Sequence, residues 1–246
     1  MDKMWKYIIL ASAVVLSAMV LAAAYTSKSR NAGTISVTGL GETEFVSDLI
    51  VINGDLEVTN VEAAAGYTEL EAQCKRVTEF LISKGLNADQ ISYAMPSIRE
   101  SYEDVYIDGN YIGRKFKEYS FSQSFTIESK EVDKVEAAAR ELPSLIAEGI
   151  MLSVCDPSYY YTELDVVKHT LIGEAAADAR QRAEIIATNS NARLGQLASS
   201  RAGVFQITAA TGDEEFSAGG SFNLSSREKK ARVTVRAEYN IKHKAK

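Results

Sequence analysis

Histidine, cysteine, closely spaced glycines and grouped carboxylates are the residue types in this chain that could do chemistry. His169 and His243 are the two histidines of the 246 residues, and neither belongs to an H-x-x-x-H or H-E-x-x-H spacing, so no zinc site is expected. His169 falls on the polar side of a predicted helix and reads as a solvated residue, because no G-x-S-x-G elbow or reactive-cysteine context accompanies it. Cys74 and Cys155 stand in apolar patterns without paired spacing, which reads as small core residues. In an oxidising compartment they could also form one bridge, if their Cα atoms approach within about 4.4 to 6.8 Å. Gly39-Leu40-Gly41 begins like a phosphate loop, but no G-K-[ST] follows and no third glycine completes a dinucleotide fingerprint. Glu42 with Glu44, Glu100 with Glu103 and Asp104, and Asp213 to Glu215 supply carboxylates, none marked as a glycosidase-type pair. The expectation is a non-enzymatic chain with no catalytic, cofactor-binding or metal-ligating residue and no cofactor.

The compartment is read from the other end of the polarity scale. Tyr7 to Ala24 is a run of uncharged residues about 27 Å long as a helix, close to the ~30 Å apolar thickness of a bilayer. Trp5, Tyr7 and Tyr25 sit where interfacial aromatics belong. The reading is a cytoplasmic start over 1–6, a transmembrane signal-anchor over 7–25 and a polar linker over 26–33. The competing reading is a signal peptide cleaved after Ala22-Ala23-Ala24. Lys3 and Lys6 on one side are matched by Lys28 and Arg30 on the other, so charge does not orient the segment; an export-type segment at the start normally delivers the following domain across the membrane.

Beyond residue 33 lies one domain, 34–246, long enough to bury its own core. Asp2 against Lys3, Lys6, Lys28 and Arg30 gives the first thirty residues +3, which leaves −9 for the remainder of a chain whose total is −6. That acidity argues against nucleic acid as a partner; the tail lysines 242, 244 and 246 read as a solubilising end.

Period-2 alternation over Thr34 to Val58 predicts β-structure bent at Gly39–Gly41, with Ile50, Ile52, Leu56 and Val58 on the buried face and Gly54 at a bulge or close backbone approach. Ala63, Tyr67, Leu70, Cys74, Val77 and Leu81 form a helical stripe that stops at Gly85. Ile91 to Ile127 reads as a long hairpin turning at Asp108-Gly109-Asn110, with Tyr102, Tyr106, Tyr111, Phe116 and Tyr119 toward its outer end, either as cross-strand pairs or as an interface. A second helix over Glu131–Glu148 should be shortened by Pro143. A strand over Ile150–Tyr161 precedes a third helix capped by Thr162, whose stripe is Leu164, Val167, Leu171, Ala175, Ala179, Ala183 and Ile186. A strand over Leu197–Thr208, a long mobile loop over Ala209–Arg227 and a strand over Arg232–Lys242 follow. The fold class is α+β: an antiparallel-rich sheet with helices packed on one face, preceded by a single N-terminal transmembrane helix.

The opening Ile35-Ser36-Val37-Thr38-Gly39-Leu40-Gly41-Glu42, the serine-and-aromatic hairpin and the block Glu174 to Glu184 leading to Leu194-Gly195 together resemble the SIMPL domain family, DUF541, over residues 34 to 242. The resemblance implies an α+β fold, an extracytoplasmic location and, for some members, ring-like or channel-like homo-oligomers with links to oxidative-stress defence; it transfers no functional residue. The expected protein is anchored in a bacterial inner membrane with its domain in the periplasm. It self-associates through sheet edges or the aromatic hairpin as a scaffold or stress-protective assembly. The alternative is a periplasmic small-ligand-binding module or hydrolase, its site between the sheet's open face and the acidic loop.

Overall fold

The computed structural model describes Trp5 and residues 12–22, 33–211, 217 and 219–243. Residues 12–22 are helical and solvent-exposed. Among the described residues no helix is both long and apolar enough to cross a membrane. The expected span 7–25 lies in large part outside the described residues, as do Asp213 to Glu215.

Two sheets, rather than the expected one, make up the domain. Strand β1 (Thr34–Val46) runs straight through Gly39 and Gly41, and the chain breaks only at Ser47-Asp48 before β2 (Leu49–Asn60). β1 pairs antiparallel with β11 (Glu228–His243) along its whole length. The other edge of β11 carries β8 (Ala192–Ala202) and β9 (Gln206–Ala209), and β10 (Ser221–Phe222) adds to β9 in parallel. The expected 197–208 strand is thus two strands, and part of the expected 209–227 loop is a strand. In the second sheet β2 is central, with β5 (Asn110–Ser129) on one side and β6 (Leu152–Val154) and β7 (Ser158–Tyr160) on the other. β3 (Ile91–Tyr93) and β4 (Ser97–Ile107) both pair with β5. Asp156-Pro157 divides the expected 150–161 strand, since proline cannot donate to a ladder.

Each sheet has its own helices on one face. Helix α1 (Ala63–Ser83) covers β2 and β5 and buries Leu70, Val77, Phe80 and Leu81, each full burial contributing about 1.5–3 kcal/mol. It ends as expected: Gly85 has φ +92°, its N–H bonds the Ile82 carbonyl, and the Leu86 N–H returns to Leu81, while the Leu86 side chain is buried. The stripe's first turn differs, since Gly66 faces the core and Tyr67 is exposed; the Phe121 ring occupies the space a Cβ at Gly66 would need. Gly54 is likewise a close approach and not a bulge, with the Phe125 ring against its Cα. Helix α2 (Val132–Glu141) gives way to a 3₁₀ turn, Leu142–Glu148, at Pro143.

Helix α3 (Leu164–Asn189) lies on β1 and β11 with Leu171, Ala175, Ala179, Ala183 and Ala187 buried in a strict four-residue repeat. Ala187, not Ile186, completes the stripe, and Ile186 is exposed. Thr162 does not cap the helix; its N–H and hydroxyl both donate to the Asp48 carboxylate, at 2.8 and 2.5 Å. A Cβ built on Gly39 would stand 2.1 Å from the Ala175 carbonyl oxygen, and one on Gly41 2.3 Å from that of Leu171. The two glycines therefore let helix backbone rest on strand backbone. Asp178 adds an edge contact, accepting the Leu40 N–H at 2.8 Å while pairing with Arg182. Those bonds, the Arg182 one foremost, hold its carboxyl below the ordinary aspartate range.

Gly39→Ala is expected to cost about 1–3 kcal/mol by overpacking, read as a lower urea midpoint at unchanged slope. Gly173→Ala, at a helical position with nothing within 4 Å of the new Cβ, should raise the midpoint, by roughly 0.5–1 kcal/mol.

Candidate functional site

The residues the sequence offers for chemistry do not converge. His169 is exposed on α3, and His243 ends β11. Among the described residues no group of three potential ligands could hold a metal ion. The Gly39-Leu40-Gly41 motif is the floor for α3 described above and presents no phosphate cradle. Glu42 pairs with Arg232 at 2.7 Å and Glu44 with Lys230 at 2.9 Å, each directly across the β1–β11 ladder. Asp104 pairs with Arg114 at 3.0 Å, Glu103 faces Lys115, and Glu100 accepts the Tyr102 hydroxyl.

The cysteines are both free thiols and differ in setting. Cys74 sits half-buried at the margin of the α1 core, its Sγ donating to Gln123 Oε1 at 3.2 Å, and burial pushes the thiol up to about 11. Cys155 is exposed, against the expectation of a core residue, although its N–H still donates to the Asn53 carbonyl at 2.8 Å where β6 ends.

A groove of about 580 Å³ lies between the outer face of the β1–β11 sheet and Ser217, on the side where the alternative reading puts a ligand-binding or hydrolytic site. Its described lining holds Arg182 and Arg232 beside Leu40, Val204 and Gln206, and no carboxylate. The outer face of the other sheet is a polar ladder in which Ser124 donates to Asp55, Thr126 to Asn53 and Ser120 to Glu57, at 2.6, 2.8 and 3.3 Å. Its groups satisfy one another across the strands.

What stands out is the β4–β5 hairpin. Asp108 and Gly109, at φ 50° and 80°, make the two-residue turn, with Ile107 and Asn110 already paired. β2 stops at Asn60 opposite Tyr119, so residues 110–118 continue past the sheet as a two-stranded ribbon about 30 Å long. A row of rings leads out along it: Phe121 to Tyr119 at 6.5 Å between centroids, Tyr119 to Phe116 at 4.9 Å, Phe116 to Tyr102 at 6.0 Å, and Tyr106 to Tyr111 at 5.7 Å near the tip. Phe121 is fully buried, whereas Tyr102, Tyr106, Ile107, Tyr111 and Ile112 are each at least 50% exposed. The rings therefore pair across the strands as expected, and most of those toward the tip are also exposed. The ribbon is also polarised in net charge: β4 carries Glu100, Glu103 and Asp104 against Arg99, and residues 110–118 of β5 carry Arg114, Lys115 and Lys117 against Glu118.

The order of elements around this hairpin has a counterpart among known families. Residues 35–239 match the family model described as SIMPL, protein of unknown function (DUF541). The chain belongs to the SIMPL family. The match runs from β1 into β11, so both sheets fall within the SIMPL domain. A search of curated proteins finds no match.

In the native protein a thiol-specific reagent should label Cys155 rapidly and Cys74 only on unfolding, read as one thiol per chain without denaturant and two with it. Equal fast labelling of both would contradict the half-buried setting of Cys74.

Proposed function

We propose that this SIMPL protein is a non-enzymatic, membrane-anchored cell-envelope protein that self-associates, through its β4–β5 ribbon, into a homo-oligomeric scaffold or stress-protective assembly. The anchor is the apolar run Tyr7 to Ala24, which would hold the domain on the periplasmic side of a bacterial inner membrane. The observation that carries self-association is the ribbon. An isolated two-stranded hairpin is at best marginally stable in water, and this one has unpaired edges and exposed rings. A second copy is the occupant that the charges favour. Beyond the Asp104–Arg114 pair within one ribbon, β4 stays net acidic and residues 110–118 of β5 net basic, so head-to-tail pairing of two copies joins opposite net signs while β4-to-β4 pairing opposes like ones. Such a heterologous contact repeats from copy to copy and closes into a ring or extends as a filament.

Light scattering of the full-length protein in detergent at micromolar concentration should give a mass of many subunits. Tyr102→Ser with Tyr106→Ser should move it toward monomer, each lost ring costing on the order of 2 kcal/mol per contact, while the urea midpoint stays near that of the parent. Wild type that remains monomeric under those conditions would remove the basis for the assembly.

A further inference from the structure

A second feature, on the opposite sheet, is independent of assembly. Along the outer face of the β1–β11 ladder basic residues meet acids: Glu44 opposite Lys230 and Glu42 opposite Arg232. The pattern fails at Arg236. Its neighbour on β1 is Thr38, and its partner on β8 is Arg201. Two guanidinium groups therefore stand directly across a β-ladder, an arrangement that destabilises unless something negative lies between them. Among the described residues no carboxylate comes within 4.0 Å of the basic nitrogens of either arginine. Among the described residues that line the surrounding hollow the one carboxylate, Glu238, is engaged by the Thr34 hydroxyl at 2.7 Å and the Ser199 hydroxyl at 3.3 Å.

The pair is set in a concavity of about 340 Å³ lined by Ser36, Ser199, Ser200, Arg201, Arg236 and Glu238. Arg236 is already oriented, its Nε donating to Ser36 Oγ at 3.3 Å, which leaves its terminal nitrogens and the Ser36 O–H to donate outward. Arg201 contributes a second donor fork. Glu238 repels an anion from its end of the hollow and so confines it to the arginine end.

The geometry points to an oxyanion-binding site at Arg201 and Arg236, with Ser36 as third donor, for a phosphate-class group held between the two guanidinium forks. It takes a small ion or a monoester, since the adjacent groove of about 580 Å³ beyond Thr38 has room for the body of a larger ligand. The negative charge of the domain as a whole gives no long-range attraction, so recognition depends on direct contacts and not on electrostatic steering.

Titration calorimetry of the full-length protein in detergent with inorganic phosphate, at constant ionic strength, tests this. Saturable binding is expected. Arg201→Ala and Arg236→Ala should each weaken it roughly ten- to a hundredfold, as loss of a charge-assisted hydrogen bond does, whereas Arg180→Ala on the solvent side of α3 should leave it unchanged. In phosphate-free buffer Arg201→Ala should unfold at the same temperature as the parent or higher, because a like-charge contact is relieved. A phosphate ester that binds more tightly than phosphate identifies the groove as part of the site; equal affinity confines the site to the ion. No saturation into the tens of millimolar, or affinity unaltered in the two alanine variants, would overturn the assignment. A fall in unfolding temperature in phosphate-free buffer would do the same, by showing that the two arginines support the free fold.

Discussion

The contact on which this architecture depends is between two backbones. Helix α3 rests on β1 at Gly39 and Gly41, close enough that a single methyl group at either glycine would overlap a helix carbonyl. Alanine at every fourth position of α3 is the matching requirement, since a larger side chain would hold the helix off. The small residues trade side-chain burial for proximity, and the Asp178 carboxylate recovers part of the difference by taking up the Leu40 amide at the sheet edge. Because the helix occupies only one face, the other face of the same strands is left to polar and charged residues, and Arg201, Arg236 and the groove beside them lie there.

The second sheet solves its packing differently. Large side chains fill it: Phe121, Phe125, Ile127 and Ile52 are all buried under α1 and α2. Glycine again makes room, this time for rings, at Gly54 and Gly66. β5 carries this sheet's aromatic row outward, so the strand that anchors the core at Phe121 is continuous with the exposed ribbon that ends at Tyr111. Ring contacts supply what stiffness the ribbon has, each worth about 0.5–1.5 kcal/mol beyond burial.

Much of this is legible in the sequence. Alternation in β2, the stop at Gly85, the break at Pro143 and the Asp108-Gly109 turn are local signals, and local geometry obeys them. Pairing is not local. β1 and β2 are separated only by Ser47-Asp48 and read as strands of one sheet, yet they enter different sheets. Apolarity favours Ile186 as the last residue of the α3 stripe, whereas the close approach of helix to sheet selects the smaller Ala187. The apolar neighbours of Cys155 read as core, yet its side chain is exposed where β6 ends before Asp156-Pro157. The arginine pair leaves no sequence trace, since Arg201 and Arg236 become neighbours only when β8 is laid against β11.

β1 and β11 come from opposite ends of the domain, Thr34 finding its partner in Asn240. During synthesis, the sheet built on β2 has all its strands by Tyr160 and can consolidate early, while β1 waits with an unsatisfied edge until β11 emerges. A chain interrupted before Glu228 would carry a finished half and a bare thirteen-residue strand, which is the kind of surface that quality-control proteases and holdase chaperones recognise.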